Sequence, residues 1–280
     1  MEYLTLSNGK TMPILGFGTY LITDAAECTR SVGAALENGY RLIDTAQIYG
    51  NEAAIGEALR HCGLPREELF LITKLWFDCY NAEAARKAIG ESLEKLGTEY
   101  LDMVLLHWPY GDTYAAWRVM EEFHERGVIR SLGVSNYTPD RLVDLMHFNR
   151  VAPVLNQLEV NLWCQRKAER PWHQKLAVAM QAYAPMGRKR PPQCFDDPVL
   201  AGLAYKYNKS VRQIMLRYLI QNGVAVIPKS VHAERIRENI EVFDFCLEAQ
   251  ELAALAALDR AEPLIGDPQN PNRVERLLGA

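Results

Sequence analysis

The stretch that says most about the fold is GYRLIDTAQIYGNE, residues 39–52. Its apolar pair Leu42-Ile43 predicts a short strand that ends at Asp44, and Glu52 begins a run with the apolar spacing of a helix. Tyr49 lies in the loop between the two. An acid at the end of a strand and a tyrosine in the next loop are typical of a site on a β/α scaffold. Taken alone, however, the two residues are better explained as a solvated turn acid and a half-buried ring.

The same succession of strand and helix recurs along the chain. Short apolar runs alternate with amphipathic segments, which is typical of a parallel sheet buried on both faces. The predicted strands are 14–18, 42–44, 69–74, 101–107, 131–135, 153–159, 177–183 and 224–228. The predicted helices are 24–38, 52–61, 82–96, 114–126, 139–148, 166–175, 199–207, 211–221, 233–239 and 247–258.

Eight such units in a chain of 280 residues predict an α/β fold of the (β/α)8 TIM barrel type rather than an open doubly wound sheet. The sequence Gly16-Phe17-Gly18 also lacks the third glycine of a dinucleotide-binding G-x-G-x-x-G turn. Asn8-Gly9 predicts the tight turn of an N-terminal β-hairpin, and two extra helices follow the last strand. Because we find no linker, we expect residues 1–280 to form a single domain.

Composition and charge exclude several classes of protein. At 49% hydrophobic and 24% charged residues, the chain can bury a large core. A net charge of −4 argues against nucleic acid as the main partner. The N-terminus does not resemble a secretory signal, and no apolar run approaches the ~20 residues of a membrane-spanning helix. The six cysteines form no CxxC pair, so we expect a cytoplasmic protein with reduced thiols, no metal site and no membrane partner.

Chemically useful side chains collect at the predicted C-terminal ends of the strands, where barrel enzymes place their chemistry. Asp44 ends the second strand, Lys74 the third and His107 the fourth. Singly, Lys74 could be a solvated charge and His107 a core histidine. Together with Tyr49 they would surround one mouth of the barrel, an arrangement that random loop composition seldom produces. The sequence therefore predicts an active site at this end.

Three longer motifs resemble the signatures of the aldo-keto reductase family. The first is residues 39–56, and the second is LGVSNY at 132–137. The third is IPKS at 227–230, followed by Arg235, Glu238 and Asn239. They occur in order and at family-like spacing over nearly the whole chain. The resemblance implies a (β/α)8 barrel, a nicotinamide cofactor and reduction of a carbonyl group. The short loops are similar to those of the compact bacterial members, including 2,5-diketo-gluconate reductases and prostaglandin F synthase-like enzymes.

The resemblance implies a catalytic role for each of the four strand-end residues. Tyr49 would donate the proton, and a phenol with a pKa of about 10 needs help to do so near neutral pH. Lys74 would stabilise the phenolate by its charge, and Asp44 would hold the buried ammonium of Lys74. His107 would orient the substrate carbonyl or share in proton donation. The cofactor would supply the hydride.

The resemblance also assigns a set of positions to the cofactor. They are Gly18, Thr19, Ser135, Asn136, Gln157, Tyr183, Pro185, Met186, Gly187, Lys229, Ser230, Arg235, Glu238 and Asn239. The Ser-Asn pair and Gln157 would hold the nicotinamide carboxamide, Tyr183 would stack on the ring, and residues 184–187 would surround the pyrophosphate.

The third motif bears on the choice between NADPH and NADH. Lys229, Ser230 and Arg235 match the clamp on an adenosine 2′-phosphate, with Glu238 and Asn239 near the adenine. Two cations and a hydroxyl suit a phosphate dianion, so the expected cofactor is NADPH, with NADH a weaker possibility. A weaker hypothesis is that the basic residues at 188–190 add charge over the pyrophosphate.

Three aromatic residues just past strand ends, Tyr20, Trp76 and Trp108, are expected to form one wall of the substrate pocket. The loop after the fourth strand is short, and so is the polar tail after Leu258. Both features predict a more open pocket than in long-looped relatives. Asn161-Leu162 replaces the His-Pro that is frequent in the family, so the sixth strand could exit differently.

Three functions remain open at this level. The leading one is a monomeric NADPH-dependent reductase of aldehydes, ketones or keto-sugars. The second is a barrel lyase with Lys74 or Lys229 as a Schiff base, which would leave the cofactor positions unused. The third is a non-catalytic nicotinamide-binding redox sensor or subunit, which a disrupted set of catalytic residues would favour.

Overall fold

The computed structural model describes residues 1–188 and 190–279, in which strands alternate with helices. The strands are β1 (Tyr3–Thr5), β2 (Thr11–Pro13), β3 (Phe17–Gly18), β4 (Leu42–Asp44), β5 (Phe70–Leu75), β6 (Met103–Leu106), β7 (Leu132–Ser135), β8 (Leu155–Glu159), β9 (Ala179–Tyr183) and β10 (Ala225–Val226). The first six α-helices are α1 (Ala25–Glu37), α2 (Glu52–His61), α3 (Ala82–Leu96), α4 (Thr113–Glu125), α5 (Pro139–Phe148) and α6 (Arg170–Leu176). The others are α7 (Pro198–Tyr207), α8 (Val211–Gln221), α9 (Ala233–Ile240), α10 (Ala249–Ala256) and α11 (Pro271–Leu278).

Strands β3 to β10 form one parallel sheet in which sequence neighbours are also sheet neighbours. The sheet closes on itself, because Leu15, just before β3, forms a parallel bridge with Val226 of β10. The backbone N–H of Gly16 also donates to the carbonyl of Val226 at 2.8 Å. A closed parallel sheet whose strands alternate with helices is a (β/α)8 barrel, so the predicted fold is confirmed.

A glycine makes this closure possible. A Cβ atom on Gly18 would lie 2.9 Å from the carbonyl oxygen of Ile227. Any side chain there would push β3 away from the segment after β10. The predicted hairpin is present as well, since β1 and β2 pair antiparallel around Gly9, whose φ is +79°.

Local capping explains why several helix bounds agree with the prediction. The side chain of Asn81 accepts the N–H of Ala84 at the start of α3, and Gly97 ends the same helix with a φ of +65°. Ser210 and Gln213 form a reciprocal capping box at the start of α8. Such caps satisfy orphan backbone groups through contacts within a few residues. Helix ends of this kind can therefore be read from sequence.

Buried apolar side chains from the strands and from the inner faces of the helices join into one hydrophobic cluster. The helices therefore pack around the barrel and leave its polar strand ends for the site. Among the described residues, no helix combines the length and the apolar character needed to cross a membrane. Every cysteine in this part of the chain is a free thiol.

The C-terminal tail differs from its prediction. Instead of a short polar extension, residues 271–278 form helix α11, which begins with Asn270 as the N-cap and Pro271 in the first turn. Asn-Pro is a favourable helix start because the cap accepts a backbone N–H and proline has none to lose. The tail crosses the mouth of the barrel, where the hydroxyl of Tyr110 donates to the carbonyl of Pro268 at 2.9 Å.

Candidate active site

A cavity of about 610 Å³ lies at the C-terminal ends of the strands. The predicted positions that line it are Gly18, Tyr20, Asp44, Tyr49, Trp76, His107, Trp108, Ser135, Asn136, Gln157, Tyr183, Pro185, Met186 and Lys229. The predicted positions outside the lining are Thr19, Lys74, Gly187, Ser230, Arg235, Glu238 and Asn239. The fold thus brings together most of the residues that sequence reasoning selected from different strand ends.

Asp44 and Lys74 form a buried ion pair at the floor of the cavity, which Asp44 lines. The Lys74 ammonium donates to Oδ1 of Asp44 at 2.6 Å and to the carbonyl of Thr45 at 2.7 Å. Oδ2 of Asp44 accepts from Nε2 of Gln157 at 2.7 Å. Burial raises the pKa of Asp44 and lowers the pKa of Lys74, and the contact between the two charges opposes both shifts. Because each ion has further hydrogen bonds, the pair has one well-defined geometry.

Tyr49 stands above this pair. The Lys74 Nζ atom lies 5.2 Å from the centroid of the Tyr49 ring, and the rings of Tyr20 and His107 lie 4.9 Å and 5.7 Å from it, centroid to centroid. Burial raises the pKa of Tyr49 well above its ordinary value, and the Asp44 charge adds to this rise. The nearby Lys74 ammonium therefore does not bring the pKa of Tyr49 below its ordinary value in this structure. The phenol is neutral near pH 7 and still carries the proton that a donor needs.

A buried asparagine holds the loop of Tyr49 in place. The Asn51 amide nitrogen donates to the carbonyls of Thr19 and Ile22 at 2.9 Å and 3.1 Å. Its oxygen accepts from the Thr45 hydroxyl at 2.8 Å. The hydroxyl of Thr19, predicted for the cofactor, donates to the backbone carbonyl of Asp44 at 3.0 Å. Thr19 is thus buried support for the site rather than part of the cavity wall.

His107 is a neutral imidazole in this cavity. Burial lowers its pKa well below the ordinary value, and the positive charge of Lys74 lowers it further. Nδ1 is buried and has no hydrogen-bond partner within the described part of the chain. A buried N–H without an acceptor costs more than an unused lone pair. The favoured tautomer therefore carries its proton on Nε2.

The opposite wall is a hydrogen-bonded cluster at the ends of β7, β8 and β9. Nδ2 of Asn136 donates to the carbonyl of His107 at 3.1 Å, and its oxygen accepts from the Tyr183 hydroxyl at 2.7 Å. The Ser135 hydroxyl donates to the Gln157 carbonyl at 2.9 Å. This network connects the backbone of His107 to the flat ring of Tyr183 through rigid contacts.

Gln181 is a buried residue of this network that the sequence reasoning missed. Its Oε1 accepts from Nε2 of Gln157 at 2.7 Å, beside the bond from Gln157 to Asp44. Both N–H groups of the Gln157 amide are thereby used, so only its oxygen is left to face a ligand. The signal that could have revealed Gln181 is a polar residue at an inward-facing position of β9.

The C-terminal tail forms a roof over the cavity, and the prediction that this pocket is more open than in long-looped relatives stays a prediction. The buried carboxylate of Glu159 accepts the backbone N–H groups of Leu264, Ile265 and Gly266 at 3.0, 2.6 and 2.8 Å. A Cβ atom on Gly266 would lie 1.6 Å from the hydroxyl of Tyr183, so the tail packs directly on that ring. Ile265, Arg273 and Leu277 of the tail consequently line the cavity. The sequence features that accompany this roof are the acid that ends β8 and the Asn-Pro start of α11.

We expect Glu159→Gln to loosen the roof. A charged acceptor contributes about 1.5–3 kcal/mol per hydrogen bond, and an amide oxygen at this position would replace only part of that. Trypsin should therefore cleave the variant faster at Arg273 and Arg276, as measured by mass spectrometry over time. Glu275→Gln, at an exposed position on α11, is the matched control. Equal cleavage rates in both variants and the wild type would contradict the role of Glu159.

The predicted clamp lies on the segment after β10, and only Lys229 of it lines the cavity. Lys229 is partly exposed and Arg235 is exposed in the first turns of α9. The Ser230 hydroxyl accepts the N–H of His232 at 3.1 Å and so supports the turn before that helix. Asn239 is buried and Glu238 is half-buried. Lys229 thus lines the cavity, and Arg235 is accessible on the surface of α9.

Arg188 and Arg190, two of the three basic residues at 188–190, have different surroundings. Arg188 lines the cavity, and its guanidinium lies 5.2 Å from the centroid of the Tyr20 ring. Arg190 is buried and instead bonds to the carboxylate of Glu262 at 3.3 Å. Lys189 lies outside the described residues. Of the two basic residues that the structure describes here, Arg188 is thus the one that lines the cavity.

Comparison with known proteins identifies the family. Residues 14–260 match the family model described as "Aldo/keto reductase family". The chain is 38% identical over 275 residues to an aldo-keto reductase of Mycolicibacterium smegmatis, which covers 96% of this chain and 98% of that protein. It is also 38% identical over 268 residues to the glyoxal reductase of Bacillus subtilis, which covers 95% of this chain and 96% of that protein.

Solved structures agree with this result. The crystal structure of a Bombyx mori aldo-keto reductase in complex with NADP superposes with a TM-score of 0.90 at 35% identity, covering 96% of this chain and 99% of that one. An aldo-keto reductase from a deep-sea metagenome library superposes with a TM-score of 0.93 at 34% identity, covering 95% and 98%. The family model and these identities extend over most of the chain, and the chain therefore belongs to the aldo/keto reductase family.

Proposed function

We propose that this protein reduces an aldehyde, ketone or keto-sugar carbonyl to the alcohol, with Tyr49 as the proton donor and NADPH as the cofactor. The observation that carries the proposal is a neutral phenol and a neutral imidazole above one buried Lys-Asp pair, all at the same cavity. The glyoxal reductase among its relatives supports a small carbonyl compound as substrate.

Tyr49 would protonate the carbonyl oxygen. Its raised pKa keeps the phenol protonated until the oxygen becomes basic. The phenolate that remains would then be stabilised by the ammonium of Lys74, 5.2 Å from the ring centroid, because an opposite charge at this range favours the ionised form. Asp44 keeps that ammonium in place and limits the cost of its burial.

His107 would orient the substrate rather than supply a proton. A neutral imidazole with its proton on Nε2 can donate one hydrogen bond to the carbonyl oxygen. The edge-to-face contact with Trp76, at 4.9 Å between centroids, holds the imidazole plane. His107 and Tyr49 would thus hold the same oxygen from two sides.

The other wall of the cavity fits a nicotinamide cofactor, which would supply the hydride when bound. Gln157 offers only an amide oxygen, which suits the N–H donors of a carboxamide. Tyr183 offers a flat aromatic surface, and Lys229 and Arg235 offer accessible cations for a 2′-phosphate. The NADP complex of the Bombyx mori enzyme supports the same cofactor here.

The experiment that tests the proposal is NADPH oxidation against glyoxal, methylglyoxal, aromatic aldehydes, keto-sugars and quinones. We expect turnover with at least one carbonyl class and little turnover when NADH replaces NADPH. No NADPH oxidation with any of these compounds would refute the proposal.

Arg235→Ala should raise the KM for NADPH by about tenfold or more, because a charge-assisted phosphate contact contributes roughly 1.5–3 kcal/mol. The KM for NADH should change much less, since NADH has no 2′-phosphate. Arg237→Ala is the control, because Arg237 lies on the same helix and pairs with Glu241 at 3.8 Å. If Arg235→Ala raised the KM for both cofactors equally, the 2′-phosphate assignment would be wrong.

The environment of Lys74 argues against a Schiff-base lyase. Its ammonium is fully buried and donates to Asp44 and to the Thr45 carbonyl. A Schiff base needs a neutral amine that can reach the substrate carbonyl. Borohydride treatment in the presence of a carbonyl compound should accordingly leave no adduct on Lys74.

A further inference from the structure

We propose that Arg273 gives this cavity a preference for carbonyl substrates that also carry a carboxylate. The inference rests on the proposed reductase function and deepens it by assigning a substrate class. Arg273 belongs to the tail that roofs the cavity, which the sequence pattern predicted only as a short polar extension.

Arg273 lies on helix α11 and lines the cavity together with Tyr49 and His107. Its guanidinium lies 5.0 Å from the centroid of the Trp108 ring, and Trp108 directly follows His107 in the chain. Trp108 is itself stacked on Tyr110 at 5.6 Å between centroids. The guanidinium therefore lies on the cavity wall beside Trp108, the residue next to His107.

The guanidinium of Arg273 has no acidic partner among the described residues. The ion pairs within residues 1–188 and 190–279 do not include it. Its Nε atom is buried and has no hydrogen-bond acceptor in the same part of the chain. A buried donor of this kind costs free energy unless a ligand satisfies it. A carboxylate is the natural partner, because its two oxygens match the planar fork of an arginine.

The charge of Arg273 acts inside the cavity. Burial raises the pKa of Tyr110 to about 12, and the Arg273 charge opposes this rise while Asp267 adds to it. The same guanidinium also opposes the rise in the pKa of Tyr183. Its field thus reaches both the substrate wall and the ring proposed for the nicotinamide.

The lining of the cavity has an excess of positive charge. Its cations are Arg188, Lys229 and Arg273, whereas its one carboxylate among the described residues, Asp44, is already neutralised by Lys74. Lys229 belongs to the clamp proposed for the cofactor phosphate, and the guanidinium of Arg188 lies 5.2 Å from the centroid of the Tyr20 ring. Arg273 is the cation on the Trp108 wall, where the apolar groups of Trp108, Ile265 and Leu277 strengthen its attraction for an anion.

A competing explanation is that Arg273 only packs the tail onto Trp108. Two substrates of similar shape and different charge separate the two roles, namely 4-carboxybenzaldehyde and its methyl ester. The variants are Arg273→Met, which keeps an unbranched side chain, and Arg273→Lys, which keeps the charge. Arg276→Gln is the matched control, since Arg276 is exposed on the same helix and does not line the cavity.

We expect the wild type to have a higher kcat/KM for the acid than for the ester. Arg273→Met should lower the acid-to-ester ratio of kcat/KM about tenfold or more, from the loss of a charge-assisted hydrogen bond. Reduction of the ester should change little, Arg273→Lys should keep part of the preference, and Arg276→Gln should keep all of it. An equal loss for both substrates, or an unchanged ratio while the ester is still reduced, would overturn the inference and leave the reductase function standing.

If the wild type reduced neither compound, the affinity for the corresponding alcohols would test the inference instead. Titration calorimetry in the presence of NADP+ would then compare 4-carboxybenzyl alcohol and its methyl ester on the wild type and Arg273→Met. A loss of about tenfold in affinity for the acid alone would support the anion site. Equal affinities in the two proteins would overturn it.

Discussion

Tyr49→Phe should lower the kcat of carbonyl reduction by about 10²- to 10⁴-fold, the usual contribution of a positioned general acid. The substitution removes one hydroxyl and keeps the ring. The contacts of that ring with Tyr20 at 4.9 Å and His107 at 5.7 Å, centroid to centroid, should survive. The Lys-Asp pair below should also be unchanged. The substitution should therefore slow the proton-transfer step without destabilising the fold.

The measurement is steady-state NADPH oxidation, combined with NADPH binding followed by fluorescence titration. NADPH affinity should stay within a factor of about two or three, since the proposed cofactor contacts lie on the opposite wall. Tyr20→Phe is the matched control, because it removes a phenol hydroxyl from the same cavity. Near-wild-type turnover in Tyr49→Phe would remove Tyr49 as the donor. A comparable loss in Tyr20→Phe would mean that the effect is not specific to Tyr49.

Lys74→Met should cost both activity and stability. It leaves the Asp44 carboxylate buried without its cation, and removal of one partner of a buried ion pair costs roughly 3–5 kcal/mol in the free energy of unfolding. Turnover should fall by orders of magnitude, because the phenolate of Tyr49 loses the charge that would stabilise it. Urea unfolding measures the first effect and NADPH oxidation measures the second.

A double variant separates these two effects. Asp44→Asn combined with Lys74→Met removes both charges, so most of the lost stability should return. Turnover should stay low, because the ammonium near Tyr49 is still missing. Recovery of activity together with stability would show that Lys74 acts only as a structural partner of Asp44. Full activity in Lys74→Met alone would exclude Lys74 from the mechanism.

Much of the fold could be predicted because its signals are local. Apolar runs separated by amphipathic segments define the eight β/α units, and bounds such as those of α3 follow from Asn81 and Gly97 at its two ends. Because strand ends converge at one mouth in any parallel barrel, the sequence pattern was sufficient to group Asp44, Tyr49 and His107 in one site. The catalytic and cofactor roles of these residues stay predictions that the variants above test.

Local patterns predict least where charge and solvation depend on packing. The pKa of Tyr49 rises because burial of the phenol and the charge of Asp44 both disfavour the phenolate, although the Lys74 ammonium lies 5.2 Å from its ring centroid. Arg190 was expected over the pyrophosphate, yet it bonds to Glu262, which lies far along the chain. The spacing of residues in the sequence does not show how deeply a side chain is buried or which distant residue pairs with a charged group.

The sequence by itself determined the barrel, its hairpin and the chemical types of side chain at the strand ends, because these depend on periodicity and on contacts between near neighbours in the chain. Tertiary structure alone decided the roof over the cavity, the Gln181–Gln157–Asp44 network and the neutral state of Tyr49 and His107. The bonds from Glu159 to the tail join groups 105 to 107 residues apart, and the bond from Gln157 to Asp44 joins residues 113 apart. Such contacts form only when the barrel closes and brings distant segments to one mouth.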